Sequence, residues 1–120
     1  MKNTILAIFL LSMLIACNSE PADTSHIHGK WQAISWMVNG EPTDRAEAGV
    51  SFEFRADASY TATFGQQGES GTYRLSGNNL YTTADDKIEK MVKINLPHPD
   101  TMVMDMNRVG TPEVIRLVKE

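Results

Sequence analysis

The sequence predicts an all-β protein: an eight-stranded antiparallel up-and-down β-barrel preceded by a cleaved signal peptide. Three observations lead there. Between Val50 and Thr83 apolar and polar residues alternate, with Val50, Phe52 and Phe54 against Ser51, Glu53 and Arg55, then Tyr60, Ala62 and Phe64 against Thr61 and Thr63. A period of two with one apolar face is the pattern of a sheet buried on one side. The breaks Ala56-Asp57-Ala58, Gly65 to Gly71 and Ser76-Gly77-Asn78-Asn79 have the composition of hairpin turns. Finally, eight short strands in 120 residues is the number at which a sheet closes on itself and loses its edges.

The chain opens with Met1-Lys2 and an apolar run from Ile5 to Ala16 broken only by Ser12. As a helix this core would span about 18 Å, short of the roughly 30 Å of bilayer hydrocarbon, so it reads as a secretory signal over residues 1–16. Leu14-Ile15-Ala16-Cys17 resembles the bacterial lipobox. That resemblance implies cleavage before Cys17 and a thioether-linked diacylglycerol on it. Two or more acyl chains anchor stably where one binds reversibly. Cys17 is the only cysteine, so acylation leaves no thiol for a disulfide. Without the leader, ten basic residues face fifteen acidic ones, a balance that disfavours nucleic acid and anionic lipid surfaces as partners. Asn18 to Ser25 is small, polar and acidic, so residues 17–28 are expected to form a tether. Asn rather than Asp after Cys17 resembles lipoproteins passed on to the outer membrane.

Residues 29–120 form the barrel domain. Gly29-Lys30-Trp31 and Gln32 to Val38 make the first strand. Trp31, Ala33 and Met37 share one parity and Ile34, Trp36 and Val38 the other, so either both faces are covered or a bulge switches the phase. Thr43 to Gly49 is the one sizeable insert. Asp44 and Glu47 have capping-box spacing over a short helical turn that would lie as a lid; a plain surface loop is the alternative. Val50 to Phe54, Tyr60 to Phe64, the stretch around Tyr73 and Leu75, and Leu80 to Thr83 follow. Ile88 to Leu96 is the sixth strand, with Ile88, Val92, Ile94 and Leu96 inward and Lys90 on the same parity, either near a rim or at a phase change. Pro97-His98-Pro99-Asp100 stops it. Met102 to Arg108 and Glu113 to Lys119 complete the set, separated by Gly110-Thr111-Pro112.

Gly29-Lys30-Trp31, Phe54-Arg55-Ala56-Asp57-Ala58-Ser59-Tyr60 and Ser70-Gly71-Thr72-Tyr73-Arg74-Leu75-Ser76-Gly77-Asn78-Asn79-Leu80 together resemble the lipocalin-like domain of bacterial lipoproteins, a group of calycin barrels. The resemblance implies a barrel closed at the Gly29–Trp31 end, with a basic residue of the last strand over Trp31; Arg116 is the candidate for that cation-π contact. Ala58 stands where the family has Gly, so that turn is expected to avoid positive φ.

For a ligand, the inward aromatics Phe52, Phe54, Tyr60, Phe64 and Tyr73 and the stripe Met102, Met104, Met106 are the candidate wall. Methionine is flexible and polarizable and adapts to varied apolar shapes, although the same stripe also suits plain core filling. If the interior is filled, function moves to the loops Asn39 to Gly49 and Gly65 to Gly71 as a protein-interaction or inhibitor surface. His26-x-His28 could set two imidazoles on one strand face, but a metal site needs a third ligand and His98 lies in a distant turn, so no metal or other cofactor is expected. Nor is catalysis: no nucleophile is paired with a base, and Glu53, Glu69, Asp85 and Asp86 read as outward or loop positions. Mass spectrometry of the membrane-extracted protein should show a chain beginning at an acylated Cys17; a thiol-bearing chain in the aqueous fraction would refute the anchor.

Overall fold

The computed structural model describes residues 23–85 and 87–120, so the signal peptide, Cys17 and Asp86 lie outside the described residues. Strands β1 (Gly29–Val38), β2 (Glu41–Pro42), β3 (Val50–Phe54), β4 (Ser59–Phe64), β5 (Gln67–Ser76), β6 (Asn79–Ala84), β7 (Lys90–His98), β8 (Thr101–Arg108) and β9 (Thr111–Lys119) form one antiparallel sheet. Each neighbour in sequence pairs with the next, apart from the two-residue β2, which pairs with β1 alone, and β1 also pairs with β9. Eight strands therefore close into a barrel, as the alternation predicts.

Closure runs through β1. Its lower half pairs with β3 (Gly29 with Phe54 to Gln32 with Ser51), and nearly its whole length pairs with β9. Between Ala33 and Ser35 the register with β9 shifts. That bulge exchanges the inward parity: Trp31 and Ala33 are buried before it and Trp36 after it. It also ends the pairing with β3. The backbone edge so freed is covered by the insert, because the Thr43 amide and hydroxyl both donate to the Trp36 carbonyl at 3.1 and 2.6 Å. The insert contains a 3-10 turn, Arg45–Ala48, that buries Ala46 against β1 and β3. Asp44 makes no side-chain cap, which corrects the capping-box expectation. The turn is too short to expose the row of free amides that a capping box satisfies.

The end of the barrel from which β1 starts is packed solid. Trp31 is fully buried and its indole Nε1 donates to the Ile27 carbonyl at 2.9 Å, which draws the 3-10 turn Ser25–Ile27 across the floor. That turn also corrects the expectation that His26 and His28 share a strand face. The cation over Trp31 is Lys119, its Nζ 5.2 Å from the ring centroid, and not Arg116. Lys119 sits opposite Trp31 in the ladder, whereas Arg116 pairs with Ser35 and points outward. Gly29 lets the Lys119 stem cross it; a Cβ there would come within 3.0 Å of Cε.

Three further expectations are corrected. Ser70, Gly71 and the residues from Gln67 onward belong to β5 and not to a loop, because the β4–β5 hairpin is a two-residue turn with Phe64 opposite Gln67. Ala58 does take positive φ, +73°, held by hydrogen bonds from its amide to the Arg55 carbonyl and from the Tyr73 amide to its own carbonyl. Ile88 is 80% exposed in the loop before β7 instead of inward.

Gly71 marks the tightest backbone approach: a Cβ there would fall onto the Thr83 carbonyl oxygen. Gly71→Ala must therefore push β6 away from β5, and denaturant unfolding should show a loss of about 1–3 kcal/mol.

Candidate ligand cavity at the open end of the barrel

The alternation of each strand assigns its inward residues, and their size divides the interior in two. Phe54, Tyr73, Met102 and Leu117 fill the half around Trp31. The Tyr73 ring meets Phe54 edge-on at 5.1 Å and its hydroxyl donates to the Arg55 carbonyl at 2.7 Å. Above this layer lies a cavity of about 680 Å³, open to solvent. Its apolar wall comes from Trp36, Phe52, Phe64, Leu80, Val92, Met104, Met106 and Ile115.

Of the candidate wall residues, Phe52, Phe64, Met104 and Met106 line this space. Phe54, Tyr60, Tyr73 and Met102 do not; they are the packed layer beneath or beside it. Phe52 joins the two, stacked on Phe54 with centroids 5.9 Å apart and edge-on to Phe64 at 5.6 Å.

Polar groups ring the mouth. Glu69 is one of them, correcting the expectation that it faces outward: it follows the inward parity of Tyr73 and Leu75 on β5 and accepts from the Tyr60 hydroxyl at 2.6 Å. Burial first, then the hydrogen bond and the negative charge of Glu69, hold the Tyr60 phenol far above its usual ionisation range. Thr82, Lys90, Asn107 and Arg108 line the mouth as well.

Glu113 is the buried carboxylate of this end, 4% exposed at the start of β9. It accepts from Trp36 Nε1 at 2.8 Å and from Arg45 at 3.2 Å, and Arg108 stands 3.6 Å away. Arg45 also lies over the Trp36 ring, 5.4 Å from its centroid. The 43–49 insert is thereby clipped to the β1 side of the mouth and leaves the cavity uncovered. The sequence reading missed Glu113, although it shares the parity of Ile115 and Leu117.

The remaining candidates lie away from the cavity. His28 Nε2 and the Thr24 hydroxyl share a hydrogen bond of 2.8 Å on the floor segment. Among the described residues no group of three or more His, Cys, Asp or Glu converges on a point where a metal ion could sit. Glu53 is outward, 3.3 Å from Arg55.

A family model described as "Lipocalin-like domain" matches residues 27–104. Among solved structures, a protein from Bacteroides eggerthii DSM 20697, described as uncharacterized, is similar at 17% identity with a TM-score of 0.55, over 78% of this chain and 98% of that one. A protein of the DUF4847 family from Bacteroides vulgatus ATCC 8482 is similar at 13% identity and a TM-score of 0.55, over 77% of this chain and 92% of that one. At such identities the likeness is one of fold. No curated protein matches the chain.

Two outcomes follow from the mouth. Glu113→Ala frees Arg45 and Arg108 to turn toward water but strands the Trp36 N–H, so unfolding free energy should fall by about 1–3 kcal/mol. An unfolded tyrosine ionises near pH ~10, whereas folded Tyr60 keeps its proton to higher pH. Stability should therefore be unaffected below that pH and decline as pH rises above it. An alkaline absorbance titration should find Tyr60 ionising only as the protein unfolds, and Tyr60→Phe should remove that late transition.

Proposed function

The chain belongs to the lipocalin-like domain family, and on that premise we propose that it is a lipid-anchored binding protein of the cell envelope. In this role it holds one small apolar or amphipathic molecule in the open half of its barrel. The division of the interior carries this reading. A domain built only to present loops has no use for an unfilled upper half. Here large residues pack the floor, while Trp36, Phe52, Phe64 and Met104 are drawn back around a space of about 680 Å³, inside the range of roughly 300–1,000 Å³ in which small ligands are held. Two walls of that space carry methionine, which repacks at little cost.

Acylated Cys17 would tie the barrel to the membrane, most simply the outer membrane given Asn18, through a polar tether of about ten residues. The lipobox-like Leu14-Ile15-Ala16-Cys17 supports the anchor. No reaction belongs to this role. His26, His28 and His98 lie at the floor end, away from the cavity, and the tyrosine and carboxylate that meet at its wall satisfy each other.

Titration of the mature chain with environment-sensitive apolar dyes and single-chain lipids should give saturable binding near one molecule per barrel. Met104→Trp, which fills the cavity from β8, should weaken it at least about tenfold with the fold retained. Flat titrations across a broad panel, or binding indifferent to Met104→Trp, would refute the cavity as the site.

A further inference from the structure

The mouth of the cavity runs down one side of the barrel as a notch. In their upper thirds β7 and β8 do not pair with each other: their ladder begins at Lys93 opposite Asp105. Above that, Lys90, Met91 and Val92 bond only toward β6, and Met106, Asn107 and Arg108 only toward β9. Three residues on each strand make a gap about 10 Å tall. The lining confirms that the gap is open to the cavity. A strand can turn only alternate residues inward, yet three consecutive residues from each of these strands border the space. The corresponding gap between β1 and β3 is sealed by Thr43.

Charge and surface beside the gap point to one kind of occupant. Lys90 and Arg108 both lie on the inward parity of their strands, on either side of it. Lys90 has no carboxylate within ion-pair distance among the described residues, and Arg108 pairs only through Nε, 3.6 Å from Glu113 Oε2. Glu69, the carboxylate lining the cavity, stands on β5 and is held by Tyr60. The flanking surface is apolar: Ile88 and Met91 are exposed before and within β7. Val109, next to Arg108, is held exposed at φ +50°, a conformation that β-branched residues rarely adopt.

We propose that the gap between β7 and β8 is a side portal for a single-chain amphiphile with an acidic head. Lys90 and Arg108 hold the head and the tail lies among Phe52, Val92 and Met104. The proposal rests on the ligand-binding role above and names its ligand class and path. A carboxylate or a phosphate head satisfies the same two cations through charge-assisted hydrogen bonds. The tail enters between β7 and β8 while the head stays with the two cations at the rim. A cavity of about 680 Å³ suits one hydrocarbon chain.

The mature chain, residues 17–120 with Cys17→Ser, includes every strand of the barrel and can be titrated with four probes that share one tail: hexadecanoate, hexadecyl phosphate, hexadecanol and hexadecyltrimethylammonium. One or both acid-headed probes should bind at least about tenfold tighter than the alcohol, and the cation most weakly. The better of the two acids identifies the head. Lys90→Glu with Arg108→Glu should abolish that preference. Met91→Trp with Asn107→Trp, which plugs the gap from outside, should slow association of the acids about tenfold. Equal affinities for acid and alcohol would overturn the head site and leave the ligand-binding role standing. An unchanged association rate in the plugged variant would overturn the portal. Binding of none of the four would sink the ligand-binding role itself. An extended peptide pairing with the freed edges of β7 and β8, with no amphiphile competing, would overturn the proposal in favour of a protein partner.

Discussion

The structure depends on β1 being bonded on both edges. A sheet of eight strands becomes a cylinder only if its first and last members meet, and here β1 takes β3 on one side and β9 on the other. Ten residues cannot follow both partners over their whole length without bending, because the strands of a barrel cross its axis at a tilt. The register shift after Ala33 supplies the bend. Its consequences spread from there. Above the shift β1 stays with β9, abandons β3, and turns Trp36 inward where the alternation begun at Trp31 would have turned Ser35. The insert between β2 and β3 then has a definite task, which is to satisfy the Trp36 carbonyl and fill the space that β3 has left.

The same bend accounts for the two unlike halves of the interior. Below it the walls pack around Trp31, with Phe54, Tyr73, Met102 and Ile27 in the same cluster and Lys119 over the ring. Above it the ring of inward residues includes Glu69, Thr82, Lys90, Arg108 and Glu113, groups whose hydration is costly to remove. A barrel packed with apolar side chains to its top would have left these charges no solvent. Trp36 marks the boundary: its ring packs with Phe64, 6.4 Å away, and its N–H is held by a carboxylate. Among the described residues one charge is strongly buried, on Glu113, and two arginines and an indole N–H surround it.

Most of the strands were legible in the sequence, since alternation is imposed directly by having one wet and one dry face. Val50 to Phe54 and Tyr60 to Phe64 stand where the pattern puts them. What alternation does not encode is register. The Gly-rich stretch from Gly65 to Gly71 reads as a loop because glycine usually breaks strands, yet β4 reaches down it residue by residue and Gly71 is needed for its closeness to Thr83. Parity held more information than the reading used. Lys119 and Glu113 share the parity of Ile115 and Leu117, which identifies Lys119 as the cation near Trp31 and Glu113 as inward, whereas Arg116 is excluded by the same test. Ile88 failed for the opposite reason, an apolar residue of the right parity that precedes the first ladder pair of β7 and so faces no wall.

The open seam above Lys93 and Asp105 could not be read from residues at all, since β7 and β8 each look like ordinary strands to their ends. It arises because each strand keeps its other neighbour: Lys90 to Val92 stay with β6, and Met106 to Arg108 with β9. Backbone groups facing such a gap are left to water or to whatever enters it, and a fully closed cylinder would have spared that cost. The barrel meets the problem once at the β1–β3 seam, by folding Thr43 onto the free edge. At the second seam the described residues provide no equivalent cover. They provide two cations and a flanking surface of exposed apolar side chains instead, a composition that water alone does not require.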